Sequence, residues 1–152
     1  KYCEEIIALD LGHMAIKNID FVRYMPNLQY LVLAHTQLQY IDPISSCKKL
    51  KFLELDWSPV RDLSPLVGCT ALEDLNVART NGDALVFKDM PWLKNLWLNQ
   101  NGATKEERAY LEEKLPDTNI NFDGYSPTAG GWRELQNYFD MRDLLEMPYN
   151  SW

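Results

Sequence analysis

Long apolar runs are missing from this chain of 152 residues: no stretch of hydrophobic residues exceeds a handful, so nothing in it reads as a membrane-spanning helix. The opening Lys1-Tyr2-Cys3-Glu4-Glu5 has no signal-peptide character. Basic charge is also short, with 15 Lys and Arg against 22 Asp and Glu and no basic cluster longer than Lys48-Lys49. A phosphate backbone demands a concentrated positive face, so nucleic acid is excluded as the expected partner. Neither a G-x-S-x-G elbow nor a glycine-rich phosphate loop occurs. Nucleophilic and nucleotide-dependent catalysis therefore lack their usual parts, and the expectation is a non-enzyme without a cofactor. Three cysteines, Cys3, Cys47 and Cys69, cannot all pair, and none forms a C-x-x-C motif.

What the chain does have is a 22-residue period. Leu28-x-x-Leu31-x-Leu33 recurs as Leu50-x-x-Leu53-x-Leu55 and Leu72-x-x-Leu75-x-Val77, flanked by Ile6-x-x-Leu9-x-Leu11 and Leu93-x-x-Leu96-x-Leu98. The starts at 6, 28, 50, 72 and 93 mean intervals of 22, 22, 22 and 21. Within one unit, Leu28, Leu31 and Leu33 belong to a strand with one buried face, while Leu38, Ile41, Ile44 and Cys47 advance by threes as a 3₁₀-like turn does. No single coil can bury its own apolar side, so stability is a sum over stacked neighbours and both ends need lids.

The period and inner motif resemble the leucine-rich repeat, in the short 22-residue class found in internalin-like bacterial proteins, and the likeness covers residues 1 to about 123. The resemblance implies an α/β fold: a right-handed solenoid with a parallel sheet on the concave side, short 3₁₀ or helical turns on the convex side, and a C-terminal helical cap. It implies a domain of residues 1–123, with 124–152 as a linker and capping helix of the same domain. It also implies a non-catalytic protein-binding module within a larger bacterial surface or secreted protein, monomeric and outside the cell, although unpaired cysteines suit a cytosol equally well.

The register assigns every other residue. Cys3, Met25, Cys47, Cys69 and Met90 share one column, so buried free thiols are expected, and Cys3 in that column implies upstream sequence continuing the repeat. The turn position reads Met14, Thr36, Ser58, Thr80 and Asn101, where hydroxyls can form a ladder. Asn81-Gly82-Asp83 shortens the fourth turn and is expected to bulge outward. Thr104-Lys105-Glu106-Glu107 is a capping-box sequence and predicts a helix over 104–115, then a sixth strand at Asn119-Ile120-Asn121-Phe122.

After the linker Gly124–Gly131, the tail places Trp132, Leu135, Tyr138, Phe139, Arg142 and Leu145 near one helical face. The expected role is a lid over the last coil, with partner docking as the alternative. The segment resembles the Trp-Arg…Tyr…Met-Arg-Asp endings of leucine-rich-repeat proteins from gut Firmicutes, which places Trp152 near a natural C-terminus.

By parity, outward positions form columns across the sheet: Ala8, Tyr30, Phe52, Asp74, Asn95; Asp10, Val32, Glu54, Asn76, Trp97; Gly12, Ala34, Asp56, Ala78, Asn99; and His13, His35, Trp57, Arg79, Gln100. Tyr30, Phe52, Trp57 and Trp97 cluster there, and exposed aromatics on a rigid scaffold are interface anchors. Asp10, Glu54, Asp56 and Asp74 surround them and favour a ligand carrying Lys or Arg. The competing readings are aromatic ladders that stabilise neighbouring strands, a tail folded over them, or acids that serve only as solubilising surface. Aromatic faces flanked by carboxylates also suit sugar rings, and a pure spacer domain remains a third class. A metal site from His13, His35 and a nearby carboxylate is geometrically conceivable but lacks a second shell. If the aromatics are a ligand surface, Trp57→Ala with Phe52→Ala abolishes capture without lowering the melting temperature.

Overall fold

A computed structural model describes residues 2–149. Six short parallel strands, β1 (Ala8–Asp10), β2 (Tyr30–Val32), β3 (Phe52–Glu54), β4 (Asp74–Asn76), β5 (Asn95–Trp97) and β6 (Asn119–Asn121), form one sheet in sequence order. Their register follows the repeat: Ala8, Tyr30, Phe52, Asp74, Asn95 and Asn119 lie side by side. The returns are 3₁₀ turns at Asp20–Tyr24, Asp42–Ser46, Ser64–Gly68 and Ala84–Asp89. Pro43 and Pro65 sit at the start of two of them, where a missing N–H costs no hydrogen bond. The expected solenoid, with its parallel sheet and tight turns, is therefore present.

Between sheet and turns lies a core of one repeated composition, in which Leu28, Leu50, Leu72 and Leu93, with Ile44, Leu66 and Phe87, are almost completely buried. Cys47 and Cys69 belong to it as free thiols, and each donates to a carbonyl of the previous coil, Val22 at 3.8 Å and Ile44 at 3.4 Å. Burial raises both thiol pKa values, that of Cys69 to about 11. Cys3 breaks the column: it is exposed, in a 3₁₀ turn over Cys3–Glu5 that buries no residue. The hydroxyl ladder forms where expected, with Thr36 and Ser58 3.0 Å apart and both reaching the Leu33 carbonyl.

Two further expectations need correction. The turn at Gly82 does not bulge outward. Gly82 is buried, and a Cβ added there would stand 2.4 Å from Leu63 Cδ1, so the glycine lets two coils close on each other. The tail does not cover the last coil either. That end is closed by α1 (Lys105–Lys114), whose capping box pairs Thr104 N–H with Glu107 Oε2 at 2.7 Å and Glu107 N–H with Thr104 Oγ1 at 3.2 Å, while Leu111 and Leu115 enter the core. The tail turns back across the concave face instead, through a 3₁₀ turn at Trp132–Glu134 and α2 (Gln136–Leu144). The readings placed at Lys1 and at Trp152 lie outside the described residues.

Candidate functional site

Each of the first five strands exits into a residue with left-handed backbone: His13, His35, Trp57, Arg79 and Gln100 have φ between 55° and 61°. Non-glycine residues adopt this region at a cost, and in the first four the amide then reaches across to the next coil, as His35 does to the Asp56 carbonyl at 2.9 Å. The side chains consequently stack along the rim of the sheet. His13 and His35 rings lie 4.5 Å apart, His35 and Trp57 5.4 Å, and the Arg79 guanidinium sits 4.1 Å over the Trp57 ring. His35 is held below its ordinary pKa by burial, with the charges of His13 and Arg79 acting in the same direction. The rim presents Trp57, at 45% exposure, as the aromatic available to solvent among those predicted for the face.

The other predicted aromatics are not available. Tyr30, Phe52 and Trp97 are 5%, 0% and 1% exposed, and form a second core with Trp132, Tyr138 and Met141 of the tail. Trp132 packs between Phe52 at 4.8 Å and Trp97 at 5.3 Å, ring centre to ring centre. The picture of four exposed aromatics is therefore corrected to one exposed rim residue and three covered ones, because an apolar concave face gains more from an amphipathic tail than from water.

The predicted acids are drawn into the same contact. Glu54 accepts from the Trp132 indole at 3.0 Å, Asp74 from Asn137 at 2.9 Å and Asn95 at 2.8 Å, and Asp10 lies 3.8 Å from the Arg142 guanidinium. Glu54 and Asp56 are buried side by side, and burial raises both carboxyl pKa values, that of Asp56 to about 8 with the Glu54 charge adding to it. Burial and mutual repulsion thus favour the protonated form of the pair, and Asp56 Oδ1 meets no hydrogen-bond donor among the described residues. His35 Nε2 is 3.7 Å from Asp56 Oδ2. Among the described residues no three His, Cys, Asp or Glu side chains converge as metal ligands.

Four amide side chains, with Arg79 and Trp97, do as much. From Gly124 to Ala129 the chain offers five main-chain carbonyls to side chains of the sheet. Gln100 donates to Gly124 and Tyr125, Arg79 to Tyr125, Asn99 to Ser126 at 2.7 Å, Asn76 to Pro127 at 3.0 Å, and Trp97 and Asn121 to Ala129. Asn76, Arg79, Asn99 and Gln100 were in the outward columns by parity. The signal that would have singled them out is the concentration of amide side chains on the last three strands.

On the other half of the face, a cleft of about 630 Å³ stays open between β1–β3 and α2. Asp10, His13, Glu54, Arg133 and Arg142 meet Val32, Met141 and Met147 in its walls. Glu54 is only 4% exposed and Asp56 1%, so Glu54 reaches the cleft wall by a small part of its surface and Asp56 lies behind it.

The family profile for leucine-rich repeats in two copies matches residues 26–66. No curated protein matches the chain by sequence. Among solved structures, internalin C2 of Listeria monocytogenes superposes with a TM-score of 0.67 at 23% identity, over 82% of this chain and 57% of its own. A leucine-rich-repeat protein of Leptospira interrogans reaches 0.68 at 23% identity, over 75% and 30%. A plant peptide hormone receptor, RGFR1 in complex with RGF2, reaches 0.51 at 20% identity, over 62% and 17%. The chain thus spans little more than half the length of the first of these and less of the others.

Proposed function

We propose that this leucine-rich-repeat solenoid is a non-catalytic module that binds a protein or peptide ligand on its concave side, as part of a larger bacterial surface or secreted protein. Folds of this kind commonly mediate protein–protein interaction, and internalin-like and peptide-receptor structures share the architecture. The observation that carries the proposal is on the face itself: six side chains hold the main-chain carbonyls of an irregular segment, which is chemistry suited to polypeptide. Tyr30, Phe52, Asp74 and Trp97 serve that binding through the tail they hold, whereas Trp57 stands exposed at the rim for an outside ligand and Glu54, beside the buried Asp56, borders the open cleft.

Rigid stacking of Trp57 between His35 and Arg79 pre-orders the anchor, so little side-chain entropy is lost on binding. The monomeric state and the preference for a basic ligand are part of this proposal. The test is panning of the immobilised chain against a random-peptide library beside a Trp57→Ala variant. Clones that bind the parent chain and leave the variant support the reading, and equal enrichment on both overturns it.

A further inference from the structure

Resting on that reading, the concave half over β4–β6 carries a second one, because its occupant is already in place. Residues 124–134 meet the sheet as a ligand meets a receptor. Five carbonyls accept from side chains alone, so these contacts do not depend on the covalent link to β6. One large aromatic, Trp132, is fully buried in a slot between Phe52 and Trp97 with its indole N–H on Glu54. A basic residue, Arg133, follows it beside the acids of the face. Buried aromatic anchors with satisfied polar tips are the usual centre of an interface. The sheet also selects against size: a Cβ at Gly130 would stand 2.1 Å from Asn121 Nδ2, so only glycine approaches there. At the point of attachment no side chain of the segment is buried: Asp123, Gly124 and Tyr125 are exposed, Tyr125 at 93%, and the chain is held there through main-chain carbonyls and the Asp123–Arg108 ion pair.

We propose that residues 124–149, anchored through 124–134, are a built-in ligand of this groove, bound in cis, and that the groove accepts the same segment in trans from a second copy of the chain once the cis segment is released. The acid and aromatic surface that the sequence marks for a ligand bearing Arg is filled by a segment of that chemistry, which is the complementarity that commits the site to this occupant. Tethering gives the cis copy an effective concentration in the millimolar range, so exchange between intact chains is slow to appear and grows with protein concentration.

The experiment uses the full chain with a protease site inserted between Asp123 and Gly124, cut after folding, and a fluorescent synthetic peptide of residues 124–149. Exchange of the labelled peptide into the cut protein, measured by polarisation, with at least ~30-fold weaker uptake of the same peptide carrying Trp132→Ala, is expected. Loss of the sheet's circular dichroism on cutting would show the tail to be an inseparable part of the core and overturn the proposal, as would a folded cut protein that takes up no labelled peptide. As a second measurement, two differently tagged intact copies are mixed at millimolar concentration; mixed dimers that the Trp132→Ala substitution abolishes are expected, and their absence counts against trans binding. None of these outcomes depends on the Trp57 rim, so failure here is separable from failure of the panning test.

Discussion

Asp56→Asn is expected to reverse its effect on stability between pH 4 and pH 8. The carboxyl is 1% exposed, and its pKa rises from 3.8 to about 8, first through burial and then through the neighbouring Glu54 charge. A carboxyl whose folded pKa is raised keeps its proton in the fold while the unfolded chain releases it. Stability is therefore full below the unfolded value near 4 and falls as pH climbs to about 8. At pH 7 the unfolded chain gains about 3 pKa units of ionisation that the fold forgoes, or ~4 kcal/mol. Asparagine imitates the protonated acid and does not titrate. One of its amide protons can serve Glu54, and leaving the other unmet costs ~1–3 kcal/mol. The variant should then be roughly 2 kcal/mol more stable than the parent at pH 7, more so at pH 8, and less stable by about the amide penalty at pH 4. Urea unfolding at constant ionic strength, followed by tryptophan fluorescence at pH 4, 6 and 8, reads this directly. A separation between the two curves that stays the same at all three values would refute the account of Asp56 as a buried, protonated acid.

The same burial separates structure from binding at two aromatic residues. Phe52→Ala, beneath Trp132 and fully buried, should cost ~3–5 kcal/mol in chemical unfolding, whereas Trp57→Ala at the exposed rim should cost under ~1 kcal/mol; the double substitution therefore lowers the melting temperature. Gly82→Ala should destabilise by ~1–3 kcal/mol, since its Cβ would meet Leu63 well inside contact distance, and thermal melting checks it. Thr104→Ala, which removes half of the capping box at α1, should lose ~1 kcal/mol by urea titration. A thiol reagent at pH 8 should label Cys3 at once and Cys47 and Cys69 only on unfolding, because both are buried and Cys69 titrates near 11; rapid labelling of all three in the folded protein would contradict the column assignment.

How far the sequence reached depends on whether an arrangement repeats. The 22-residue spacing determined the strand register, the core column through Cys47 and Cys69, the hydroxyl ladder at Thr36 and Ser58, and the capping box at Thr104, because each is decided by residues within one coil or by identical neighbours one coil away. Parity likewise placed Tyr30, Phe52, Glu54, Asp56, Trp57, Asp74 and Trp97 on one face, and the structure keeps them there. Cys3 and Gly82 departed from expectation at irregular coils, where the periodic argument has no neighbour of the same kind to lean on.

The destination of the tail was a tertiary decision. Its amphipathic face, from Trp132 to Leu145, needed an apolar surface, and two were on offer: the open end of the last coil and the concave sheet. Helix α1 closed the first, which left the aromatic sheet as the larger unsatisfied surface, and Trp132 entered it with a hydrogen bond to Glu54 from 78 residues away. No local pattern encodes a contact of that separation. The sequence by itself determined which residues face outward; only the three-dimensional packing decided that most of them would meet the chain's own tail instead of solvent, because burying one apolar surface against another is favourable wherever geometry brings the two within reach.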